Sequence, residues 1–256
     1  PLFSLGGEWR YNACVNFPDV QRRRYDLYAQ GYKKAVDILV EHVRDFGRSQ
    51  DTLVYPIVFL SRQYLELKFK YLMMQLSTLL GTQPVRRKGH NLTWLWDACA
   101  ALMREADLDG IDGLIEAVKD YIAELEEADP RSQSFRYPDE VDGNPSLPGI
   151  AYIEIKNFYE KTSAIGEQLE ALGSYIQAAI GAKQELDAAM RMEQDIDDLT
   201  PKAIAGQLPA PLTLEQRNLM NEKRTLLAQK EFQLELAQDT YAGLIAPTTS
   251  EVAALT

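Results

Sequence analysis

Apolar residues recur every three or four positions between Tyr25 and Phe46, which is the spacing of one face of an α-helix. Asp19 suits the start of this helix, and Gly47 suits its end because glycine adopts the left-handed cap conformation without steric cost. The pattern predicts a helix over about 19–46. The residues expected to face the core are Tyr25, Tyr28, Tyr32, Val36, Leu39, Val43 and Phe46.

The same period predicts three more helices, over about 52–80, from His90 or Asn91 onward, and over about 111–128. Gly81 is the expected stop of the second helix. Residues 129–150 contain four prolines and two glycines, which exclude regular structure there. A loop of this length that carries aromatic residues is usually functional or held down by packing.

The longest periodic stretch runs from Ile155 to Met190, where spacings of three and four alternate as in a heptad seam. Gly166, Gly173 and Gly181 each weaken a helix here by about 1 kcal/mol relative to alanine, so the stretch needs a partner surface. We expect its first half to close the bundle and its acidic second half to project.

No alternation typical of strands occurs, so the predicted fold class is all-α. The predicted organisation is an N-terminal segment over 1–18, a helical bundle over 19–180 and a helical extension over 181–256. Within the extension, prolines predict a linker over 200–213, followed by a helix over about 214–245 and a loose tail.

Composition narrows the class of protein. The chain has 256 residues, of which 46% are hydrophobic and 25% charged, as in ordinary globular proteins. No apolar run reaches the ~18 residues of a membrane helix, and no signal-peptide pattern opens the sequence, so a cytoplasmic location without membrane contact is expected. With two cysteines, two histidines and no glycine-rich phosphate loop, neither a metal site nor a cofactor is expected.

The net charge of −11 is distributed unevenly. Residues 1–90 carry 14 Lys+Arg against 8 Asp+Glu, whereas residues 91–256 carry 13 against 30. The acidic part opposes long-range attraction of nucleic acid, but a local basic patch that binds RNA or a nucleotide is compatible with the first third. The alternative is that these charges are solvated helix faces.

One constellation lies on the second predicted helix, where Arg62, Glu66 and Lys70 follow each other at intervals of four and share one face. This face lies beside the apolar stripe. As a surface ladder it is worth only about 0.3–0.5 kcal/mol per pair. If it is half-buried, its charges must be paired, and it becomes a candidate site.

His90, at the start of the third predicted helix, is a candidate general base, or else it caps or packs on its own helix. Arg86 and Arg87 precede it in a basic loop and are candidates for substrate binding. Arg136 lies next to Tyr137 in the irregular loop, and a guanidinium beside aromatic rings suits phosphate or base recognition. The alternative for Arg136 is an ion pair with a carboxylate of the bundle.

Three segments together resemble a group of bacterial proteins that is similar to the HEPN superfamily of small helical bundles. They are Tyr55-Pro56-Ile57 through Leu67-Lys68, Gly89-His90-Asn91-Leu92 with Leu95-Trp96, and Ser134-Phe135-Arg136-Tyr137-Pro138. The resemblance covers about residues 20–180. It implies a bundle that is often dimeric and that acts as a ribonuclease in toxin–antitoxin or phage-defence systems.

The catalytic signature implied by this resemblance is an arginine followed, after about four to six residues, by a histidine. Here Arg86 and Arg87 lie closer to His90 than that. The resemblance implies His90 as the catalytic histidine, with Arg86 or Arg62 as the arginine. Glu66, on the same predicted helix face as Arg62, is a further catalytic candidate. Members that bind nucleotides or partners without catalysis leave a non-catalytic binding or oligomerisation module as the alternative.

The heptad seam and the thin apolar stripe of the last predicted helix favour a homodimer, and the C-terminal helices offer a surface for a protein partner. Arg62 and Leu80 are ~27 Å apart along a helix, so Arg62 and His90 meet only if the intervening loop folds back or if two subunits combine. We expect His90 to approach either the Arg62–Glu66 face or the loop around Arg136.

Overall fold

The structure, a computed structural model, describes residues 6–15, 24–84, 89–108 and 110–204, with seven single positions between 218 and 232. Within the continuous described ranges, five α-helices follow a short 3-10 turn: α1 (Arg24–Phe46), α2 (Gln50–Leu80), α3 (Leu92–Glu105), α4 (Asp112–Ala128) and α5 (Ile155–Ile204). Across these ranges there is no β-strand, only an isolated bridge between Asp139 and Pro145. The prediction of an all-α fold is confirmed.

Helix α2 lies at the centre of the bundle and packs against α1, α3 and α5, while α4 packs against α3. Its core side chains are fully buried because three neighbours surround it, and they include Leu65, Phe69, Leu72 and Leu76. The helix starts two residues before the predicted position, and Pro56 lies in its second turn. The proline there removes one backbone hydrogen bond near the helix start.

Helix α1 buries only part of the predicted stripe, in which Tyr32 packs against the core. Val36 is buried as expected, but Tyr28 and Phe46 are 57% and 59% exposed. The helix is rotated so that Asp26 and Ala29 face the bundle instead. Ala29 is small and permits close packing of the helices. Asp26 pairs with a buried positive charge, and the spacing of apolar residues cannot predict such a pair.

That charge belongs to Lys68, whose side chain is almost fully buried at the junction of three helices. Its Nζ lies 3.1 Å from Asp26 Oδ1 on α1 and 2.8 Å from Glu170 Oε1 on α5. A buried ammonium is tolerated only when it is paired, so this cluster requires α1, α2 and α5 to dock together.

Helix α5 closes the bundle with its first half, as predicted, through Ile165, Leu169, Leu172, Ile176 and Ile180. Two of its glycines allow close approach to α2. A Cβ built on Gly166 would lie 2.8 Å from the Tyr64 hydroxyl, and one on Gly173 would lie 3.4 Å from Gln75 Oε1. Gly166 and Gly173, which weaken the isolated helix, therefore allow α5 to pack closely against α2.

Helix α5 continues to Ile204, so residues 200–204 of the predicted linker are helical. The predicted helix over 214–245 lies outside the described residues except at single positions, and the predicted tail over 246–256 lies outside them altogether. Among the described residues, no helix combines the length and apolar character needed to cross a membrane.

Candidate functional site

The face of α2 that carries Arg62, Glu66 and Lys70 is buried rather than exposed. Arg62 and Glu66 are 0% and 2% exposed, and only the side chain of Lys70 reaches partly to solvent. The three residues do not form the simple ladder that their spacing suggests. Glu66 binds Lys70, but Arg62 turns to other elements.

Arg62 links three parts of the chain. Its Nη2 donates to the backbone carbonyl of His90 and to Glu126 Oε1, each at 2.9 Å. Its Nε lies 3.6 Å from Asp129 Oδ2, which is ion-pair distance but beyond hydrogen-bond range. These contacts hold the backbone before α3 against the end of α4. Because the guanidinium is fully buried, it has no contact with solvent.

His90 is fixed by the next turn of the same face. Its Nδ1 lies 2.9 Å from Glu66 Oε1 and 3.1 Å from Oε2. A carboxylate only accepts, so Nδ1–H is assigned as the donor to Glu66, and in the neutral imidazole Nε2 is then the acceptor. The Glu66 side chain is 3% exposed whereas that of His90 is 65% exposed. The site is thus a buried carboxylate that orients an exposed imidazole.

Lys70 completes this group from one turn further along α2. Its Nζ lies 2.6 Å from Glu66 Oε1, the same oxygen that contacts His90. The lysine charge compensates the buried carboxylate, since an unpaired buried charge is costly. Because Lys70 and His90 contact the same oxygen and Lys70 is partly exposed, the lysine also places a positive charge near the imidazole.

The meeting of His90 with the Arg62–Glu66 face occurs within one chain. The prediction of a close approach is confirmed, by fold-back rather than across two subunits. Glu66 and Leu80 are about 21 Å apart along α2, so His90, ten residues after Leu80, lies well back from the end of the helix. Helix α3 begins at Leu92 with Asn91 as its N-cap, so His90 is not the cap.

Glu126 was not predicted from the sequence, although it contacts both Arg62 and the start of α3, which together position His90. It accepts from Arg62, from Asn91 Nδ2 at 2.8 Å and from the backbone N–H of Leu92 at 2.6 Å. A carboxylate at the N-terminus of α3 is stabilised by the free N–H groups there. The sequence signal that could have indicated Glu126 is that a carboxylate near the C-terminus of a helix is disfavoured by the helix dipole. The last turn of α4 has no basic residue to compensate this charge.

The irregular loop after α4 is pinned to α2, as its aromatic content suggested. Asp129 Oδ1 accepts from the backbone N–H groups of Gln133 and Ser134 at 2.6 and 2.9 Å. Ser132 accepts from Gln63 Nε2 at 3.1 Å, and Phe135 is buried in the core. The loop therefore has a defined conformation beside Arg62.

Arg136 lies on aromatic rings, as one of its two predicted environments requires. Its guanidinium carbon is 5.6 Å from the centre of the Phe59 ring and 5.0 Å from that of Tyr137. Within the described residues it forms no ion pair with a carboxylate. Phe59 and Glu66 are about 10 Å apart along α2. The group formed by Phe59, Arg136 and Tyr137 therefore lies on a part of the surface that neighbours His90.

Arg86 and Arg87 lie outside the described residues. Among the residues that are described, no three histidine, cysteine, aspartate or glutamate side chains are grouped so that they could hold a metal ion. Comparison with family models, with curated proteins and with solved structures finds no match to this chain. The function must therefore be inferred from the motifs and from this geometry.

Proposed function

We propose that this protein is a HEPN-like bacterial endoribonuclease of a toxin or phage-defence type, in which His90 transfers the proton. The observation that carries the proposal is the 2.9 Å contact between Nδ1 of His90 and the buried carboxylate of Glu66. A carboxylate that fixes the tautomer of an exposed imidazole is a common way to prepare a general base. The imidazole edge that faces away from Glu66 is the one that would meet the substrate.

The reaction that suits this group is internal transesterification of RNA. Nε2 of His90 accepts the proton of a ribose 2′-hydroxyl, and the 2′ oxygen attacks the adjacent phosphorus. The bond from phosphorus to the 5′ oxygen breaks, and that oxygen takes a proton from water. The hydroxide that remains is neutralised by the proton that His90 releases. The products are a 2′,3′-cyclic phosphate and a 5′-hydroxyl. Lys70 and the predicted residues Arg86 and Arg87 supply positive charge for the phosphate.

The roles differ from the simplest transfer of the HEPN signature. Arg62 is fully buried, so we assign it as a positioning residue that holds the His90 backbone. Arg86 stays the candidate for a catalytic arginine. Arg136 and Tyr137 offer a stacking surface for a base of the same RNA strand.

The test is cleavage of single-stranded RNA by the purified full chain. His90→Ala is expected to lower the rate by at least about 100-fold, the usual effect of losing a general base. Glu66→Gln is expected to have a smaller effect, because the amide oxygen still accepts from Nδ1. Glu116→Gln, an exposed carboxylate on α4, is the matched control and should keep the wild-type rate.

Two further readouts separate chemistry from folding. Replacing the attacking 2′-hydroxyl by hydrogen in the RNA should stop cleavage, and added imidazole should restore part of the activity of His90→Ala. In a bacterial host, expression of the wild type should arrest growth and His90→Ala should relieve the arrest. Cleavage by His90→Ala at the wild-type rate would contradict the assignment.

The second candidate is a non-catalytic binding or oligomerisation module. The full burial of Arg62 favours it, because Arg62 then anchors the chain before α3 and does not reach a substrate. The contact of His90 with Glu66 would serve the same anchoring role. In that case the wild type would not cleave RNA, while His90→Ala would still lower the melting temperature.

A further inference from the structure

Helix α1 carries a stripe of small, aromatic and aliphatic residues on the side that faces away from the bundle. Its members recur at spacings of three and four, the pattern of a seam between two helices. Tyr28 is 57% exposed and Ile38 is 53% exposed, whereas the buried Ala29 and Val36 lie on the opposite side. The stripe consists of Tyr28, Gly31, Ala35, Ile38 and His42.

The stripe is complementary to itself when two α1 helices run antiparallel about a two-fold axis. In one register, Gly31 lies opposite His42 of a second copy and Ala35 lies opposite Ile38. Each small residue then faces a large one, which is how side chains of packed helices interdigitate. A Cβ added to Gly31 meets nothing within 4 Å in the single chain, so the space that His42 would fill is open.

Charges beside the stripe select this arrangement. Lys34 and Glu41 are both exposed and lie seven residues apart on the same side of the stripe, next to Ala35 and His42 respectively. Neither forms a salt bridge within the described part of the chain. In the antiparallel register Lys34 faces Glu41 of the second copy, and symmetry repeats the pair. In a parallel pair Lys34 would face the apolar Leu39 instead.

We infer that two copies of this chain form an antiparallel dimer through the outward stripe of α1. The inference is independent of the proposed ribonuclease function, because none of the stripe residues belongs to the His90 site. It identifies α1, rather than the seam on α5, as the surface for the homodimer that the sequence favours.

Charge reversal tests both the surface and the register, with sedimentation of the full chain at micromolar concentration as the measurement. The wild type is expected to be a dimer. Lys34→Glu alone and Glu41→Lys alone each turn two attractive pairs into two repulsive ones, so each should weaken dimerisation by about tenfold or more. Mixed in equal amounts, these two variants should form a dimer again, because both pairs are then of opposite charge.

Ile38→Lys should leave a folded monomer, since this side chain is already half exposed and its replacement removes no core contact. Circular dichroism and thermal melting of each variant check that the helices remain. A wild-type chain that sediments as a monomer, including one whose own C-terminal residues cover α1, would overturn the inference. So would two charge variants that dimerise no better together than apart.

Discussion

At the scale of single residues, the position of His90 depends on two contacts with different consequences. Arg62 binds its backbone carbonyl, and Glu66 binds its ring nitrogen, both from one face of α2. The first contact fixes where the residue lies, and the second fixes how the ring is turned. Because only the ring is exposed, a substitution can remove the chemistry without removing the backbone anchor.

Glu126 provides a test of this support. Glu126→Ala removes one partner of the buried Arg62 and leaves the Leu92 N–H without its acceptor. The lost hydrogen bond of the buried guanidinium, which then keeps only Asp129 as an anionic partner, and the unsatisfied N–H are together expected to lower the free energy of unfolding by about 3 kcal/mol, measured by urea denaturation.

The neighbouring Glu127→Ala is the control, because this exposed residue has no such contacts and should unfold at nearly the wild-type urea concentration. If both variants were equally stable, Glu126 would not be a structural link between α2, α3 and α4.

At the scale of elements, the glycines of α5 differ in what surrounds them. Gly166→Ala would place a Cβ 2.8 Å from the Tyr64 hydroxyl, so α5 or Tyr64 must shift, at a cost of about 1–3 kcal/mol. Gly181→Ala meets nothing within 4 Å and should instead stabilise the helix by about 0.5–1 kcal/mol. Thermal and urea unfolding measure both changes.

Tyr64→Phe in combination with Gly166→Ala should recover part of the loss, because it removes the atom that lies nearest to the new methyl group. Two alanine variants with effects of the same sign would show that packing against α2 does not determine the role of Gly166.

Element positions could be predicted from the sequence because apolar spacing and glycine stops are local signals. The same signals could not determine which face of α1 is buried, since that depends on Asp26 reaching Lys68 across the bundle. They gave the candidates Glu66 and His90 but not Glu126, whose role arises only when the end of α4 meets the start of α3. Long-range pairing of charges is what periodicity omits.

At the scale of the whole molecule, the fold is organised around a central helix with buried polar groups on several sides. Lys68 connects α2 to α1 and α5, and Arg62 connects it to α4 and to the segment before α3. Each pair is satisfied only when the neighbouring helices are in place. We therefore expect the bundle to unfold as one cooperative unit rather than helix by helix.

Two tyrosines make this unit sensitive to alkaline conditions. Burial raises the pKa of Tyr64 and of Tyr121, and nearby carboxylates add to the effect at Tyr64. In the unfolded chain these phenols ionise near their ordinary value of 10.0, but the folded state keeps them neutral. The stability they contribute is therefore complete below pH 10 and is lost as the pH rises above it.

The expected result is a fall in the free energy of unfolding of about 1.4 kcal/mol per pH unit for each of these two tyrosines above pH 10. Tyr121→Phe should lower the starting stability, since the hydrogen bond with Thr162 is lost, but it should reduce the slope by the share of one tyrosine. Tyr152→Phe, which alters a side chain that is 95% exposed, should follow the wild-type curve. Urea denaturation at a series of pH values measures the slopes, and an unchanged slope in Tyr121→Phe would mean that its phenol ionises alike in the folded and unfolded chain.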